Sequence, residues 1–210
     1  MHGLNSNAAV WSHSGSDLPL VLLLHGFGSN ERDLAGLFEA LPAEFQYVSL
    51  RAPLPMQGGF AWFPLTMHGA TLAATGGRVA ARAVADWVRD AGVAPVGAIG
   101  FSQGGALALE LLREAGVPSL DWAAVLSGFV LEAEAGTEDD RDAALAARRP
   151  NVFWGRGSAD MVITPDLVSR TLGWLPQHTN AQIEIYPGLP HSISLEEITD
   201  LSAWMRERLS

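Results

Sequence analysis

The sequence predicts an α/β domain with a mostly parallel central sheet and helices on both faces. Three observations carry this. Short apolar runs of strand length recur along the chain, amphipathic helical stretches lie between them, and no internal repeat is present. Strands that alternate with helices pair in parallel, because each crossover helix returns the chain to the same end of the sheet. The 210 residues suit one such domain spanning 1–210.

Val21-Leu22-Leu23-Leu24 is a continuous apolar run, the pattern of a strand buried on both faces. Asn30 opens a helix expected to reach Leu41, with Asp33 three positions on. Phe45 to Leu50 is the next strand. Pro53 to Gly77 breaks the rhythm. It is long and rich in Gly, Pro and aromatics, and reads as a loop that walls a pocket. Val79, Ala83, Val84, Trp87, Val88 and Ala91 share one helical face, opposite Arg78, Arg82 and Arg89, and Gly92 stops the helix. Val96 to Phe101 is a third strand, followed by a small-residue helix from Ala106 to Glu114.

Ala123 to Leu126 is the fourth strand. Gly128 to Pro150 begins apolar, turns acidic at Glu132, Glu134, Glu138, Asp139 and Asp140, then looks helical, as a partly exposed insertion would. Val152 to Trp154 and Ile183 to Tyr186 are the last two strands. Between them, Thr164-Pro165-Asp166 combines an N-cap, a first-turn proline and an acidic residue, ahead of Leu167, Val168, Thr171, Leu172 and Leu175. Ser194 with Glu197 forms a capping box for the final helix, with Leu195, Ile198, Leu201, Met205 and Leu209 on one side. Trp87, Trp122 and Trp204 fall inside these elements and are expected in the core.

Composition narrows the function. There is no cysteine, which removes disulfides, thiolate metal sites and a cysteine nucleophile. Net charge is −10, and the 13 basic residues are all arginine, with no block longer than Arg148-Arg149. A phosphate backbone demands clustered cations, so nucleic acid is not the expected partner. The longest apolar run, Leu18 to Leu24, contains Pro19 and falls far short of the roughly 20 residues a bilayer requires. Met1-His2-Gly3-Leu4-Asn5 lacks the basic-then-apolar order of a signal peptide. The cytoplasm is the default location. The six histidines are dispersed, without a His-x-x-x-His pair, and no metal or other cofactor is expected.

Gly100-Phe101-Ser102-Gln103-Gly104 has the form G-x-S-x-G between a strand-like and a helix-like run. A sharp strand-to-helix turn at that point exposes the Ser102 hydroxyl and aims free N–H groups of the helix start at it. The plain alternative is a Gly-rich turn with Ser102 as an N-cap. A serine nucleophile needs a base and a group that orients the base, and in this architecture the chain order is serine, acid, histidine. Only His178 and His191 follow Ser102. His178, in Gln177-His178-Thr179-Asn180, reads as a surface turn. His191 lies between the last strand and the last helix, at the sheet edge where sites are built. Asp160, after the Val152–Trp154 strand, belongs to that same edge. Asp166 is explained by its helix, and Asp121 precedes its strand. Two donors are expected for an oxyanion: the N–H of Phe27, in His25-Gly26-Phe27-Gly28, and the N–H of Gln103. His25 reads as a structural hydrogen-bonding residue.

These segments resemble the phospholipase/carboxylesterase family, the acyl-protein-thioesterase-like branch of the α/β-hydrolases. Leu22 to Gly28 resembles its oxyanion segment. Arg51-Ala52-Pro53 with Trp62-Phe63 resembles the stretch after its third core strand. Gly100 to Gly105 resembles its nucleophile turn, and Gly157 to Val162 and Pro190-His191 resemble its acid and histidine segments. The resemblance implies a serine hydrolase without cofactor, acting on small-molecule carboxylic esters and sometimes thioesters. Carboxylesterase, acyl-protein thioesterase and lysophospholipase remain open, and a non-catalytic binding protein is the rival from another class. Met67 to Gly77 and the acidic insertion depart from the family pattern, which leaves the substrate open. Phe60, Trp62, Leu65, Phe129, Leu131, Met161 and Val162 are candidates for an apolar acyl pocket, with ordinary packing as the alternative for each. A homodimer through an exposed apolar edge is compatible with the sequence, but no patch is singled out.

Overall fold

The computed structural model describes residues 3–13, 17–65, 70–114, 120–132 and 140–209. Along the chain, the described strands and α-helices are β1 (Val10–Trp11), β2 (Leu20–Leu24), α1 (Glu31–Ala35), β3 (Gln46–Leu50), β4 (Leu54–Met56), β5 (Gly59–Ala61), α2 (Ala70–Ala91) and β6 (Pro95–Phe101), then α3 (Gln103–Arg113), β7 (Trp122–Leu126), α4 (Asp140–Arg148), β8 (Asn151–Gly157), α5 (Pro165–His178), β9 (Asn180–Tyr186) and α6 (Leu195–Arg206). The main sheet has the order β1-β3-β2-β6-β7-β8-β9. Only β1 runs antiparallel to its neighbour. Every apolar run read as a strand is one.

Alternation in β2 shows how both faces are covered. Leu20, Leu22 and Leu24 join a core with Val84, Val88, Leu107, Leu111, Leu145 and Leu175, under α2, α3, α4 and α5. Val21 and Leu23 join a second core with Leu34, Phe45, Tyr47, Ile198, Leu201 and Trp204, under α1 and α6. A strand with apolar residues on both sides has no face to give to water. Trp87, Trp122 and Trp204 are buried as expected.

Several expectations are corrected. The first helix stops at Ala35 rather than Leu41, and the chain continues in turns, with the Leu37 and Phe38 N–H groups on the carbonyls three residues back, at Leu34 and Ala35. Pro53 to Gly77 is not one loop: it holds the β4–β5 hairpin and the start of α2. Gly76-Gly77 interrupts nothing, since both glycines lie within the helix at close contacts. A Cβ on Gly76 would meet Phe63 Cβ at 2.8 Å, and one on Gly77 would meet Leu131 Cδ1 at 2.2 Å. The buried face of α2 is rotated from the expected one. Ala80, Ala81, Val84, Trp87 and Val88 are buried, whereas Val79 is exposed. Leu172 and Leu195 are likewise exposed, and Leu209 lies beyond the end of α6. His178 is not in a turn. It ends α5, stacked on Trp174, with its Nδ1 at the Trp174 carbonyl.

The caps read from sequence form in part. Asn30 accepts from the Arg32 N–H, Thr164 from Leu167 and Ser194 from Glu197. The Glu197 carboxylate is buried, and the Ser194 N–H that would complete a box reaches it without a full hydrogen bond. Met67, His68 and Gly69, and the acidic residues Glu134, Glu138 and Asp139, lie outside the described residues.

Candidate active site

The C-terminal ends of β2, β6 and β8, with the loop after β9, meet at one edge of the sheet. At β6 the chain turns into α3 within one residue. Ser102 takes φ +54° and ψ −115°, a left-handed conformation that costs a non-glycine residue of order 1–3 kcal/mol. The turn requires glycine at 104, where a Cβ would sit 1.9 Å from the Leu24 carbonyl oxygen. Strand and helix are thereby pressed together, and Ser102 is buried, 9% exposed, rather than open as the sequence predicts for the turn. Its hydroxyl makes no capping bond to α3, so the reading of Ser102 as a plain N-cap falls away.

The Gln103 side chain was not anticipated from the sequence. It is buried; its Oε1 accepts from the Trp62 N–H at 2.9 Å and its Nε2 donates to the Phe63 carbonyl at 2.7 Å. This amide clamps the strand end after β5 onto the nucleophile turn. The signal that would have found it is a polar residue directly after the serine, ahead of six positions that are all Gly, Ala or Leu.

His25 is structural, as expected. It is buried, its Nδ1 lies 2.8 Å from the Gly26 carbonyl and its Nε2 lies 3.1 Å from the Ala52 N–H. Those partners assign the neutral tautomer protonated on Nδ1. Burial pushes its pKa down, outweighing the Gly26 hydrogen bond, which favours the charged ring. The turn that follows holds the Gly28 N–H on the Phe60 carbonyl. The Phe27 and Gln103 N–H groups have no hydrogen-bond partner among the described residues.

Asp160 and His191 are brought together. Asp160 Oδ2 lies 2.8 Å from His191 Nδ1, while Oδ1 accepts from the Val162 and Ile163 N–H groups at 2.9 and 3.2 Å. Burial pushes the Asp160 carboxyl up, but the hydrogen bonds from His191, Ile163 and Val162 outweigh it and hold it below the usual carboxylate range. Nδ1 therefore carries the proton toward Asp160, and Nε2 keeps its lone pair. The two loops are joined along their backbones, with Ala159 N–H on the Leu189 carbonyl at 3.0 Å and Gly188 N–H on Ser158 Oγ at 2.9 Å. Gly157 permits this approach, since a Cβ there would fall 1.8 Å from the Leu189 carbonyl oxygen. The imidazole packs on Phe101, ring centroids 4.8 Å apart, directly before Ser102. No hydrogen bond joins the imidazole to the Ser102 hydroxyl among the described residues. Bonds of this kind commonly tighten only with substrate present.

The expected acyl wall divides. Trp62, Phe129 and Leu131 are buried in the main core and are removed from it. Trp62 instead donates from Nε1 to the His25 carbonyl at 2.8 Å. Phe60 is half-buried beneath the Arg51 guanidinium, 4.6 Å from its ring centroid. Leu65, Met161 and Val162 are exposed. Met161 lines a groove behind the Asp160 loop that neither Ser102 nor His191 lines. Among the described residues no group of three or more His, Asp or Glu side chains is gathered as metal ligands would be. No described helix is long and apolar enough to cross a membrane.

The family model described as Phospholipase/Carboxylesterase matches residues 5–208. A probable carboxylesterase, SOBER1-like, of Arabidopsis thaliana is 32% identical over 113 residues, covering 52% of this chain and 41% of that protein. Acyl-protein thioesterase 1 of Cryptococcus neoformans is 31% identical over 129 residues, covering 52% of this chain and 50% of that protein. The match thus spans half or less of these curated relatives. Among solved structures, esterase PE8 superposes with a TM-score of 0.74 at 26% identity, over 95% of this chain and 96% of that one. Acyl-protein thioesterase 2 of Zea mays superposes at 0.73 and 23% identity, over 96% and 99%, and shows the shared fold.

Proposed function

Because the chain belongs to the phospholipase/carboxylesterase family of α/β-hydrolases, we propose that it is a serine hydrolase that cleaves carboxylic esters through an acyl-enzyme. The observation that carries this reading is a strained serine between β6 and α3, preceded by Phe101, on which packs the ring of a histidine held at Nδ1 by a buried carboxylate.

Ser102 Oγ attacks the ester carbonyl while His191 Nε2 takes its proton. Asp160 keeps the ring in the tautomer that leaves Nε2 free, and its charge stabilises the imidazolium. The oxyanion of the tetrahedral intermediate accepts from the N–H groups of Phe27 and Gln103, each such donor being worth about 10²–10³ in turnover. The intermediate collapses, and the alcohol leaves with the proton from His191. Water then attacks the acyl-Ser102 ester by the same route and frees the acid. The exposed apolar side chains of Phe27, Leu65 and Val162, with half-buried Phe60, supply the contacts for the acyl and alcohol groups.

The test is Ser102→Ala, which is expected to lose both p-nitrophenyl-ester hydrolysis and labelling by a fluorophosphonate. His191→Ala is expected to lose the acyl-enzyme burst. Full activity in Ser102→Ala, or an undiminished burst in His191→Ala, overturns the assignment. A panel of short and long acyl esters beside a thioester separates carboxylesterase from thioesterase and lysophospholipase.

A further inference from the structure

Two arginines of this acidic chain are more than nine-tenths buried, and they are treated very differently. Arg113, 6% exposed, lies between Glu110 and Asp142. Arg156, 8% exposed, has no carboxylate partner among the described residues. Its Nε donates to the Gly157 carbonyl at 3.2 Å and its Nη2 to the Asp160 carbonyl at 3.4 Å. Both bonds use one edge of the guanidinium. The opposite edge, formed by Nη1 and the second Nη2 hydrogen, has no protein partner among the described residues. A buried cation without a counter-charge is costly, and two neutral carbonyls offset only part of that cost.

Arg156 lines the groove behind the Asp160 loop, which holds about 560 Å³ between β8, α5 and the edge strand β9. Its walls are largely apolar, with Ile163, Val168, Leu172 and Ile185 around the guanidinium and Ser158 at the rim. Asp160 is the one acid among the lining residues, and its carboxylate is committed to His191, Val162 and Ile163. Neither Ser102 nor His191 lines the groove, which shares Asp160 alone with the candidate reaction centre.

We propose that this groove is a second ligand site, which binds an organic monocarboxylate carried on an apolar chain. The free Nη1–Nη2 edge offers two parallel N–H donors, which match a carboxylate in a bidentate pair. One cation matches one negative charge, and no other cation lines the groove to hold a phosphate dianion. Apolar walls around one convergent polar group are the make-up of a small-molecule site, and the volume falls within the roughly 300–1,000 Å³ of such sites.

Calorimetric titration tests this with hexanoate, hexanol and inorganic phosphate as probes. The wild type is expected to bind hexanoate at least about tenfold more tightly than hexanol or phosphate, as a charge-assisted bidentate pair requires. Arg156→Gln is expected to erase the preference for hexanoate over hexanol. Leu172→Glu places a negative charge at the exposed wall, leaves Arg156 in place, and is expected to weaken hexanoate about tenfold while ester hydrolysis persists. Leu172→Glu keeps the test open should Arg156→Gln fail to fold. Hexanoate affinity unchanged in Leu172→Glu, no preference over hexanol in the wild type, or phosphate bound as tightly as hexanoate each overturns the proposal. A failure of the hydrolase reading registers separately, as a wild type without esterase activity.

Discussion

Asp160 and Glu197 are both buried beside the C-terminal half of β8. Asp160, 6% exposed, sits in the loop after the strand, and Glu197, 0% exposed, reaches Gly155 from the first turn of α6. Asp160 accepts one hydrogen bond from His191 and two from backbone N–H groups. Glu197 is reached by one backbone N–H, that of Ser194, which falls short of a full hydrogen bond. Burial pushes both carboxyls up. At Asp160 the hydrogen bonds win and the pKa falls, whereas at Glu197 burial outweighs the Ser194 N–H and the pKa rises to about 7, with the Asp200 charge adding to it. Two buried carboxyls thus shift in opposite directions: three hydrogen bonds outweigh burial at Asp160, and the Ser194 N–H alone does not outweigh it at Glu197. The same sheet edge holds an acid arranged to remain an anion and another arranged to keep its proton.

The largest effect is expected where the donors are complete. Asp160→Asn keeps the shape and can still accept from Val162 and Ile163. Its amide, however, donates toward Nδ1 and places the ring proton on Nε2, where it blocks proton transfer from Ser102. The expected loss in kcat is about 10⁴-fold with little change in Tm, read from pre-steady-state kinetics beside a thermal melt. A kcat within about tenfold of wild type would mean that the charge and tautomer argument is wrong.

What the sequence disclosed follows the same division. The sequence placed Ser102, Asp160 and His191 at one sheet edge because each follows a run read as a parallel strand, and the structure brings Asp160 and His191 together there. The core strands were legible because continuous burial leaves continuous apolar runs. β1 was not, because two residues have no period and the strand exists only through its pairing with β3. The hairpin and the first turns of α2 were hidden by Gly58-Gly59 and Gly76-Gly77, read as one flexible stretch, although the second pair serves close packing within a helix. Arg156 and Glu197 carried no signal, since a lone charge looks the same in sequence whether it is solvated or buried.

A smaller effect is expected at Glu197, and it is one of stability. The folded carboxyl holds its proton to about pH 7, whereas an unfolded glutamate releases it near pH 4.3. Between those values the native state binds more protons than the unfolded state, so stability falls as pH rises and levels off above about pH 7. Glu197→Gln removes the titration. It is expected to be more stable than wild type at pH 8 by on the order of 3 kcal/mol, with the two converging near pH 4. Urea denaturation at both pH values measures this, and a difference independent of pH would show that Glu197 has a partner in solution.

The smallest effect separates burial from charge as the cause of that titration. Asp200 is the charged neighbour that raises the Glu197 pKa, and its Oδ2 accepts from the Tyr186 hydroxyl at 3.0 Å. Asp200→Asn removes the charge and keeps an oxygen for Tyr186. Repulsion is then gone, so the inflection in the stability–pH curve is expected to move down. Burial is the larger cause, so the move should be less than about half a pH unit. A shift of more than about one unit would place the control in the Asp200 charge. The contrast with Asp160 would then rest on which charge faces each carboxylate, and no longer on how many N–H groups reach it.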